Sequence, residues 1–196
     1  MKTKTKYLVA ILFILVVFLL IGATNVNAET IKSVTDFSEL KSALADSNID
    51  VVQLANDITA LDYLTFSIVG ESRTRTLDLK GNTLDLGSGW QITLKNQNAE
   101  EVNFIIKSSG TTGKIIQSSN NNRPMFQSDA TSANAKINLI IDGGKYEANQ
   151  ENGSGGFFYG TNGCENNITI KNATVDSWVL FRNTLNKISI KNLALG

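Results

Sequence analysis

A five-residue pattern of apolar and polar positions recurs along most of the chain. Each copy has an apolar residue, any residue, a second apolar residue, a residue that is usually polar, and then Gly, Asn or Ser. Alternation with a period of two places both apolar side chains on one face, which predicts a strand with one face in a core. The copies are residues 52–56, 77–81, 104–108, 139–143, 168–172 and 188–192.

The last residue of each copy predicts a sharp corner after the strand. Gly and Asn enter the left-handed backbone region at low cost, so Gly143 and Asn172 are expected there with positive φ. In four copies an apolar residue follows three places later, where another short strand is expected to begin. These residues are Leu84, Tyr146, Val175 and Leu195.

A second set of aromatic positions supports the repeat. Phe126, Phe158 and Phe181 precede the last three copies and are expected to stack in successive coils. Two or three strands per coil, with a recurring corner, predict an all-β solenoid, a parallel β-helix. A β-sandwich also has many short strands and remains the alternative, although its loops have no reason to repeat one corner residue.

One helix is predicted before the repeat. Thr35 or Asp36 can cap its first turn, and Phe37, Leu40 and Leu44 fall on one face. We interpret residues 29–48 as an N-terminal cap that contains this helix. Residues 49–196 are interpreted as the coils, truncated at the C-terminal side because a strand pattern runs to the last residues without a cap.

The first 28 residues predict a signal peptide. Three lysines precede an unbroken apolar run over residues 7–21, and Val26-Asn27-Ala28 offers small or tolerated residues for a signal peptidase. Cleavage is expected after Ala28. An uncleaved membrane anchor is the alternative, because the apolar run is close to the shortest that spans a bilayer.

Charge and cysteine content narrow the possible functions. Removing residues 1–28 changes 18 basic and 18 acidic residues to 15 and 18, a net charge of −3. No nucleic-acid partner is therefore expected. Cys164 is the only cysteine, so no intramolecular disulfide forms, and without any histidine to activate it this thiol is not expected to be a nucleophile.

These features resemble those of a known group of proteins. The segments 34–44, 51–58 and 75–84 look like the opening of pectate-lyase-like right-handed parallel β-helices. More narrowly, they are similar to the adhesive domains at the N-termini of Gram-positive cell-surface proteins. The resemblance implies that the helix caps the first coil. It indicates function poorly, because such coils occur in lyases, hydrolases and adhesins alike.

The resemblance allows a test for enzyme chemistry. Polygalacturonase-type members use a histidine beside paired aspartates, and this chain has no histidine. Lyase-type members need clustered acids for calcium and an arginine base. Asp142 and Asp176 could be neighbours, with Arg182 one coil further, but solvated charges on the outer face are the preferred interpretation. The other acids and arginines considered are Asp78, Asp85, Arg73, Arg75 and Arg123.

Two aromatic residues are candidates for a ligand-binding surface. The segment 153–160 combines glycines with Phe157, Phe158 and Tyr159 and could present aromatic rings to a sugar. Core packing is preferred for the phenylalanines, which leaves Tyr159 as the exposed member. Trp90, after residues 87–89, is a second candidate, and Trp178 is ambiguous in the same way. No cofactor and no metal ion is expected.

We therefore expect a secreted or cell-surface β-helix module with a non-catalytic, adhesive or spacer role. An extracellular polysaccharide or glycoprotein is its expected partner, and the membrane is involved only through the signal peptide. Further coils or a C-terminal anchoring domain are expected, since residues 29–196 contain no wall-attachment signal. A pectate-lyase-like polysaccharide lyase, or a fragment of one, is the alternative.

Overall fold

The chain folds into strands that pair only in parallel. The computed structural model describes residues 28–87, 89–97, 100–118, 123–132, 134–148, 156–161, 164–177, 179–182, 186–191 and 194–195. Within these residues there are one helix and 18 strands, which form three all-parallel sheets. A β-sandwich consists of antiparallel sheets, so that alternative is wrong.

The largest sheet has seven strands in chain order. It contains the predicted repeat and begins earlier than expected, within the segment interpreted as the cap. Its strands are β1 (Ile31–Val34), β2 (Val51–Leu54), β5 (Thr74–Asp78), β8 (Glu101–Lys107), β11 (Lys136–Asp142), β14 (Glu165–Lys171) and β17 (Asn186–Lys191).

Two smaller sheets complete each coil. The six-stranded sheet has β3 (Ile58–Thr59), β6 (Thr83–Asp85), β9 (Lys114–Ile116), β12 (Lys145–Ala148), β15 (Thr174–Ser177) and β18 (Ala194–Leu195). The five-stranded sheet has β4 (Leu64–Val69), β7 (Ile92–Gln97), β10 (Pro124–Ala130), β13 (Gly156–Tyr159) and β16 (Phe181–Arg182). From β2 onward, successive strands visit the three sheets in turn. This path is consistent with a parallel β-helix.

The core lies between the three sheets and follows from strand alternation. In β8, Val102, Phe104 and Ile106 are fully buried, while the residues between them are half-exposed. The neighbouring strand β11 repeats this arrangement in direct register. Each fully buried side chain of this size contributes roughly 1.5 to 3 kcal/mol. The repeat therefore stacks a continuous apolar interior along the molecule.

The predicted helix is present as α1 (Phe37–Ala45). Asp36 is its N-cap, and the Asp36 Oδ1 accepts a hydrogen bond of 2.9 Å from the Glu39 N–H. Leu40 and Leu44 are fully buried, whereas Phe37 is only partly buried. The helix contacts β1, β2 and β4, so it lies against the first coil.

The predicted alignment of strands is confirmed at four of its five steps. Val52 pairs with Leu77, and the later copies of the pattern also pair as predicted. The step from β5 to β8 is wrong by two residues, because Phe104 pairs with Arg75 rather than with Leu77. A shift of two residues keeps every side chain on the same face, so the apolar pattern cannot distinguish the two registers.

The predicted corners are confirmed only in part. Gly143 has φ of +83° and Asn172 has φ of +55°, as expected for left-handed corners. The prediction is wrong for Asn56 and Ser108, which do not have positive φ. In the corner that contains Ser108, the left-handed residue is Gly110, two positions later, with φ of +91°. The corner predicted at Asn192 lies outside the described residues.

Candidate ligand-binding face

A row of polar and aromatic side chains crosses the outer face of the five-stranded sheet. Each strand contributes one half-buried residue, and the parallel register places these residues side by side. The row is Thr65, Thr93, Gln127, Tyr159 and Arg182. Adjacent strands lie about 4.8 Å apart, so the side chains form a continuous strip. Residues between the row positions, such as Phe66 and Leu94, are fully buried and hold the strip in place.

An aromatic cluster lies where β4, β7 and β10 begin. Tyr63 precedes β4 and is 38% exposed, and its ring meets that of Trp90 edge to face with 5.0 Å between centroids. Trp90 is half-buried and packs against the core. The Arg123 guanidinium carbon lies 5.8 Å from the centroid of the Tyr63 ring. We call Tyr63, Trp90 and Arg123 the aromatic cluster.

Gln91 connects the aromatic cluster to the row. It follows Trp90 directly, and its Nε2 donates to the Gln127 Oε1 at 2.6 Å and to the Thr93 Oγ1 at 3.3 Å. The Gln91 Oε1 is shielded from solvent and has no hydrogen-bond partner among the residues that the structure describes. We call the row, the aromatic cluster and Gln91 together the candidate face.

Both residues predicted from the sequence as ligand contacts belong to this face. Tyr159 lies within the row, and Trp90 lies in the aromatic cluster. Their positions are two strands and about three residues apart, which corresponds to roughly 14 Å along the sheet. Such a separation suits an extended oligomer better than a single small molecule. The third candidate, Trp178, lies outside the described residues.

The phenylalanines beside Tyr159 are in the core, as preferred from the sequence. Phe157 and Phe158 are fully buried. Phe126, Phe158 and Phe181 are in register on successive strands, which confirms their predicted alignment. The ring contacts instead involve Phe157. The centroid of its ring lies 5.3 Å from that of Phe126 and 6.4 Å from that of Phe181.

Sequence reasoning missed Tyr63, Gln91 and Gln127 as parts of this face. The strands β4 and β7 are not among the predicted copies, although residues 92–96 fit the repeated pattern and Gly70 follows β4 with φ of +85°. A signal was nevertheless present, because Leu64, Phe66 and Ile68 alternate with other residues as in a half-buried strand. With β4 recognised, Tyr63 and Trp90 both stand just before a strand of one sheet.

The acids considered for a lyase site lie in different surroundings. Asp142 is in the seven-stranded sheet, where its carboxylate binds the Lys171 ammonium at 2.9 Å. Hydrogen bonding to Lys171 lowers the pKa of Asp142. Asp176 is exposed in the six-stranded sheet and pairs with Glu147. The two acids therefore do not share a ladder, and the expectation that they are neighbours is not supported.

Two of the charges expected to be solvated are buried. Asp78 is 1% exposed, and its carboxylate accepts from the backbone N–H of Ser109 at 2.9 Å and from its hydroxyl at 2.6 Å. Arg75 is fully buried. The interpretation of these two side chains as solvated outer charges is wrong, because the Ser109 corner covers Asp78 and Arg75 points into the core.

Arg75 holds the C-terminal end of α1. Its guanidinium donates to the carbonyl oxygens of Leu44 at 2.8 Å and Ala43 at 2.9 Å, and also to those of Ile49 and Ser67. Helix C-termini leave carbonyl groups without partners and carry partial negative charge, so a cation is stabilising there. Burial lowers the pKa of Arg75 to about 10, so it stays charged at neutral pH.

Two further properties apply to the described part of the chain. It contains no group of three or more His, Cys, Asp or Glu side chains placed to hold a metal ion. It also contains no helix with the length and apolar character needed to cross a membrane.

Comparison with known proteins found no similarity: no protein-family model matches the chain, and no curated protein or solved structure matches it.

Proposed function

We propose that this chain is an exported, non-catalytic β-helix of the cell surface that binds an extracellular polysaccharide or glycoprotein through the candidate face. The observation that carries the proposal is the position of Trp90 and Tyr159 on one sheet, joined through Gln91 and Gln127. Exposed aromatic rings provide flat apolar surfaces for the C–H faces of sugars. Amide and hydroxyl groups beside them can bind sugar hydroxyls.

The fold suits binding of a long polymer. The row is carried by strands whose inward neighbours are fully buried, so its side chains are held in position before a ligand arrives. Such preorganisation reduces the conformational entropy that binding costs. Stacked coils also form an extended lateral surface, as in other solenoid proteins that bind elongated partners.

We further propose that the coils wind right-handed, as in pectate-lyase-like proteins, and that α1 caps the first coil. Connections between parallel strands of one sheet are almost always right-handed. The buried Leu40 and Leu44, and the contacts of α1 with β1, β2 and β4, support the capping role.

Export is proposed to occur through residues 1–28, with cleavage before Glu29. Mass spectrometry of the protein secreted by a Gram-positive host should then find Glu29 at the N-terminus. A membrane-bound product that retains Met1 would show that the segment is an anchor.

Binding can be tested by affinity electrophoresis of the secreted protein in gels that contain a polysaccharide. We expect retardation in at least one gel, weakened about tenfold in Trp90→Ala and Tyr159→Ala, since each loses a stacking surface worth roughly 1 to 2 kcal/mol. Ile31→Ala is the matched control, because Ile31 is 56% exposed but lies in the seven-stranded sheet. Equal retardation of all variants would contradict binding at this face.

The same protein should be incubated with polygalacturonate and calcium to test the lyase alternative. Release of unsaturated uronates, measured by ultraviolet absorbance, would contradict the non-catalytic proposal. Retardation in gels without product release is the result expected here.

A further inference from the structure

Two buried glutamine oxygens have no hydrogen-bond partner among the described residues: the Oε1 atoms of Gln91 and Gln117. Burying such a group without a partner costs roughly 1 to 3 kcal/mol, and native proteins contain few of them. Both glutamines therefore have a buried side-chain oxygen without a partner, but they lie in different parts of the molecule. The effect of the same substitution can be compared between them.

Gln117 directly follows β9 and meets the candidate face only at the backbone of Arg123. It is 1% exposed, its N–H donates to the Glu147 carbonyl at 2.9 Å, and its Nε2 donates to the Arg123 carbonyl at 3.3 Å. Gln91 is 6% exposed and belongs to the candidate face, because its Nε2 donates to the outward side chains of Thr93 and Gln127. Only Gln91 is placed beside a surface where a ligand can supply the missing donor.

We propose that Gln91 is a specificity-determining residue whose Oε1 accepts a hydrogen bond from a hydroxyl of a neutral polysaccharide. This inference rests on the proposed function and adds the class of ligand. The Gln91 Nε2 is held by Gln127 at 2.6 Å, so the amide is oriented and its oxygen remains for the ligand. A sugar hydroxyl is a donor and completes the pairing of this amide.

An anionic polysaccharide is the weaker match for this site. A uronate has an acceptor-only carboxylate where a neutral hexose has the C6 hydroxyl, so it offers fewer donors to the Gln91 Oε1. Lys95, which flanks the row on the same face, lies 3.9 Å from the Asp129 carboxylate and is already near an opposite charge. Two cations belong to the face, Arg182 in the row and Arg123 in the aromatic cluster, and each already has a partner within the protein. The other row residues, Thr65, Thr93, Gln127 and Tyr159, have neutral side chains.

Because the Gln91 Oε1 is shielded from solvent, a ligand reaches it by displacing a neighbouring side chain. We assign this movement to Tyr63, the member of the aromatic cluster on the adjacent strand. The backbone of this strand is paired at the same level, since the Leu64 N–H donates to the Gln91 carbonyl at 3.1 Å. Tyr63 is 38% exposed and can turn without opening the core.

The test compares the same substitution at the two glutamines. Secreted wild-type, Gln91→Met and Gln117→Met proteins are run in gels containing galactomannan, mixed-linkage β-glucan or polygalacturonate. Wild type should be retarded more by a neutral polymer than by polygalacturonate. Gln91→Met should weaken that retardation about fivefold to tenfold, as expected for one lost hydrogen bond, and Gln117→Met, which loses only a bond to the Arg123 backbone, should weaken it much less.

A second variant separates recognition from loss of structure. Gln91→Glu keeps an acceptor oxygen for the hydroxyl, and a turn of the Gln127 amide lets its Nε2 donate to the other carboxylate oxygen in place of the lost Gln91 donor. It should therefore bind the neutral polymer more tightly than Gln91→Met does. Melting temperatures of all variants check that each is folded.

The outcomes distinguish the inference from the proposed function. Stronger retardation in polygalacturonate, equal effects of Gln91→Met and Gln117→Met, or no advantage of Gln91→Glu over Gln91→Met would each overturn the role of Gln91 while polysaccharide binding stands. Absence of wild-type retardation in every gel contradicts polysaccharide binding itself, and this inference with it.

Discussion

The first coils and the middle coils of this protein are held together in different ways. In the middle, β8, β11 and β14 are seven-residue strands in direct register, and equivalent residues form rows along the stack. Asn103, Asn138 and Asn167 form one such row, in which each Nδ2 of Asn138 and Asn167 donates to the preceding Oδ1 at 2.8 Å. The stabilisation is thus divided among many similar contacts.

At the N-terminal end a single buried cation replaces these rows. Arg75 occupies the level at which Phe104 and Leu139 stand in the following strands, so the apolar row ends there. Its guanidinium carbon lies 4.9 Å from the centroid of the Phe66 ring, and its donors bind carbonyl oxygens of α1 and its surroundings. The repeated coils have many equivalent contacts, so they tolerate the loss of a single contact. The junction with the helix depends on one residue, Arg75.

Replacing Arg75 should give the largest loss of stability. In Arg75→Leu the carbonyl oxygens of Ala43 and Leu44 lose their donors and remain close to the core. We expect the free energy of unfolding to fall by about 3 to 5 kcal/mol, measured by denaturant titration.

Arg73→Leu is the matched control, because Arg73 is nearby and half-exposed, and it binds the Ser47 carbonyl and the Asp50 carboxylate. It should lose only about 1 kcal/mol. Similar losses in the two variants would show that Arg75 is not the special anchor of this end.

A corner substitution should give the next largest effect. Asn172 has φ of +55°, a conformation that a β-branched residue strongly disfavours. Asn172→Val is therefore expected to lower the free energy of unfolding by about 1 to 2 kcal/mol, while Asn172→Gly should be nearly neutral. Gly143 stands at the equivalent corner of the preceding coil, with φ of +83°. If valine and glycine at residue 172 behave alike, the corner is not under this constraint.

The difference between the two regions also explains how far the fold could be predicted. In the middle coils, alternation and corner residues agree, so β8, β11, β14 and β17 are predicted in the correct register. Around Arg75 the pattern predicts the wrong register. The pair Leu77 and Leu79 fits the apolar repeat, whereas the pair that aligns with Phe104 and Ile106 in the structure is Arg75 and Leu77. An arginine is rarely assigned to a core position, since its burial requires partners that lie far away in the sequence.

Only Trp90 and Tyr159 of the candidate face could be predicted from the sequence as ligand contacts. Trp90 and Tyr159 stand out by residue type and by the glycines near them. Gln91 and Gln127 carry no such signal, since their importance depends on a cross-strand hydrogen bond between residues on different coils. The burial of Gln91 likewise results from tertiary packing, which the alternation of apolar and polar residues along the sequence does not predict.

Breaking one row of the middle coils should cost less than the corner substitution. The Asn138 Nδ2 donates to the Asn103 Oδ1, and the Asn138 Oδ1 accepts from Asn167, so Asn138 is the centre of its row. These side chains are half-buried, so water replaces part of each lost bond. Asn138→Ala should lower the free energy of unfolding by about 1 kcal/mol. A loss as large as that of Arg75→Leu would contradict the idea that the rows share the stabilisation.

The smallest effect should be an acid-dependent one at the charged row of the middle coils. Lys107, Asp142 and Lys171 are neighbours in register, and the hydrogen bond from Lys171 is the main reason that the pKa of Asp142 is lowered. A carboxyl whose pKa is lower in the folded state stabilises the fold above its unfolded pKa of 3.8 and loses this contribution as the pH falls through its folded pKa. Both partners of this ion pair are more than a third exposed, so the contribution should stay below about 1 kcal/mol. Urea titrations from neutral pH down to about pH 2 should therefore show a slightly smaller loss of stability in Asp142→Asn than in the wild type.

Asp50→Asn provides the comparison at the N-terminal end, where the Thr30 N–H and then Arg73 lower the pKa of Asp50. An asparagine does not titrate, so the whole acid-dependent contribution of Asp50 should disappear in this variant, although its side chain can still accept from the Thr30 N–H. If Asp142→Asn removes most of the acid sensitivity of the protein, the middle coils depend on this single pair and the contrast with the Arg75 junction does not hold.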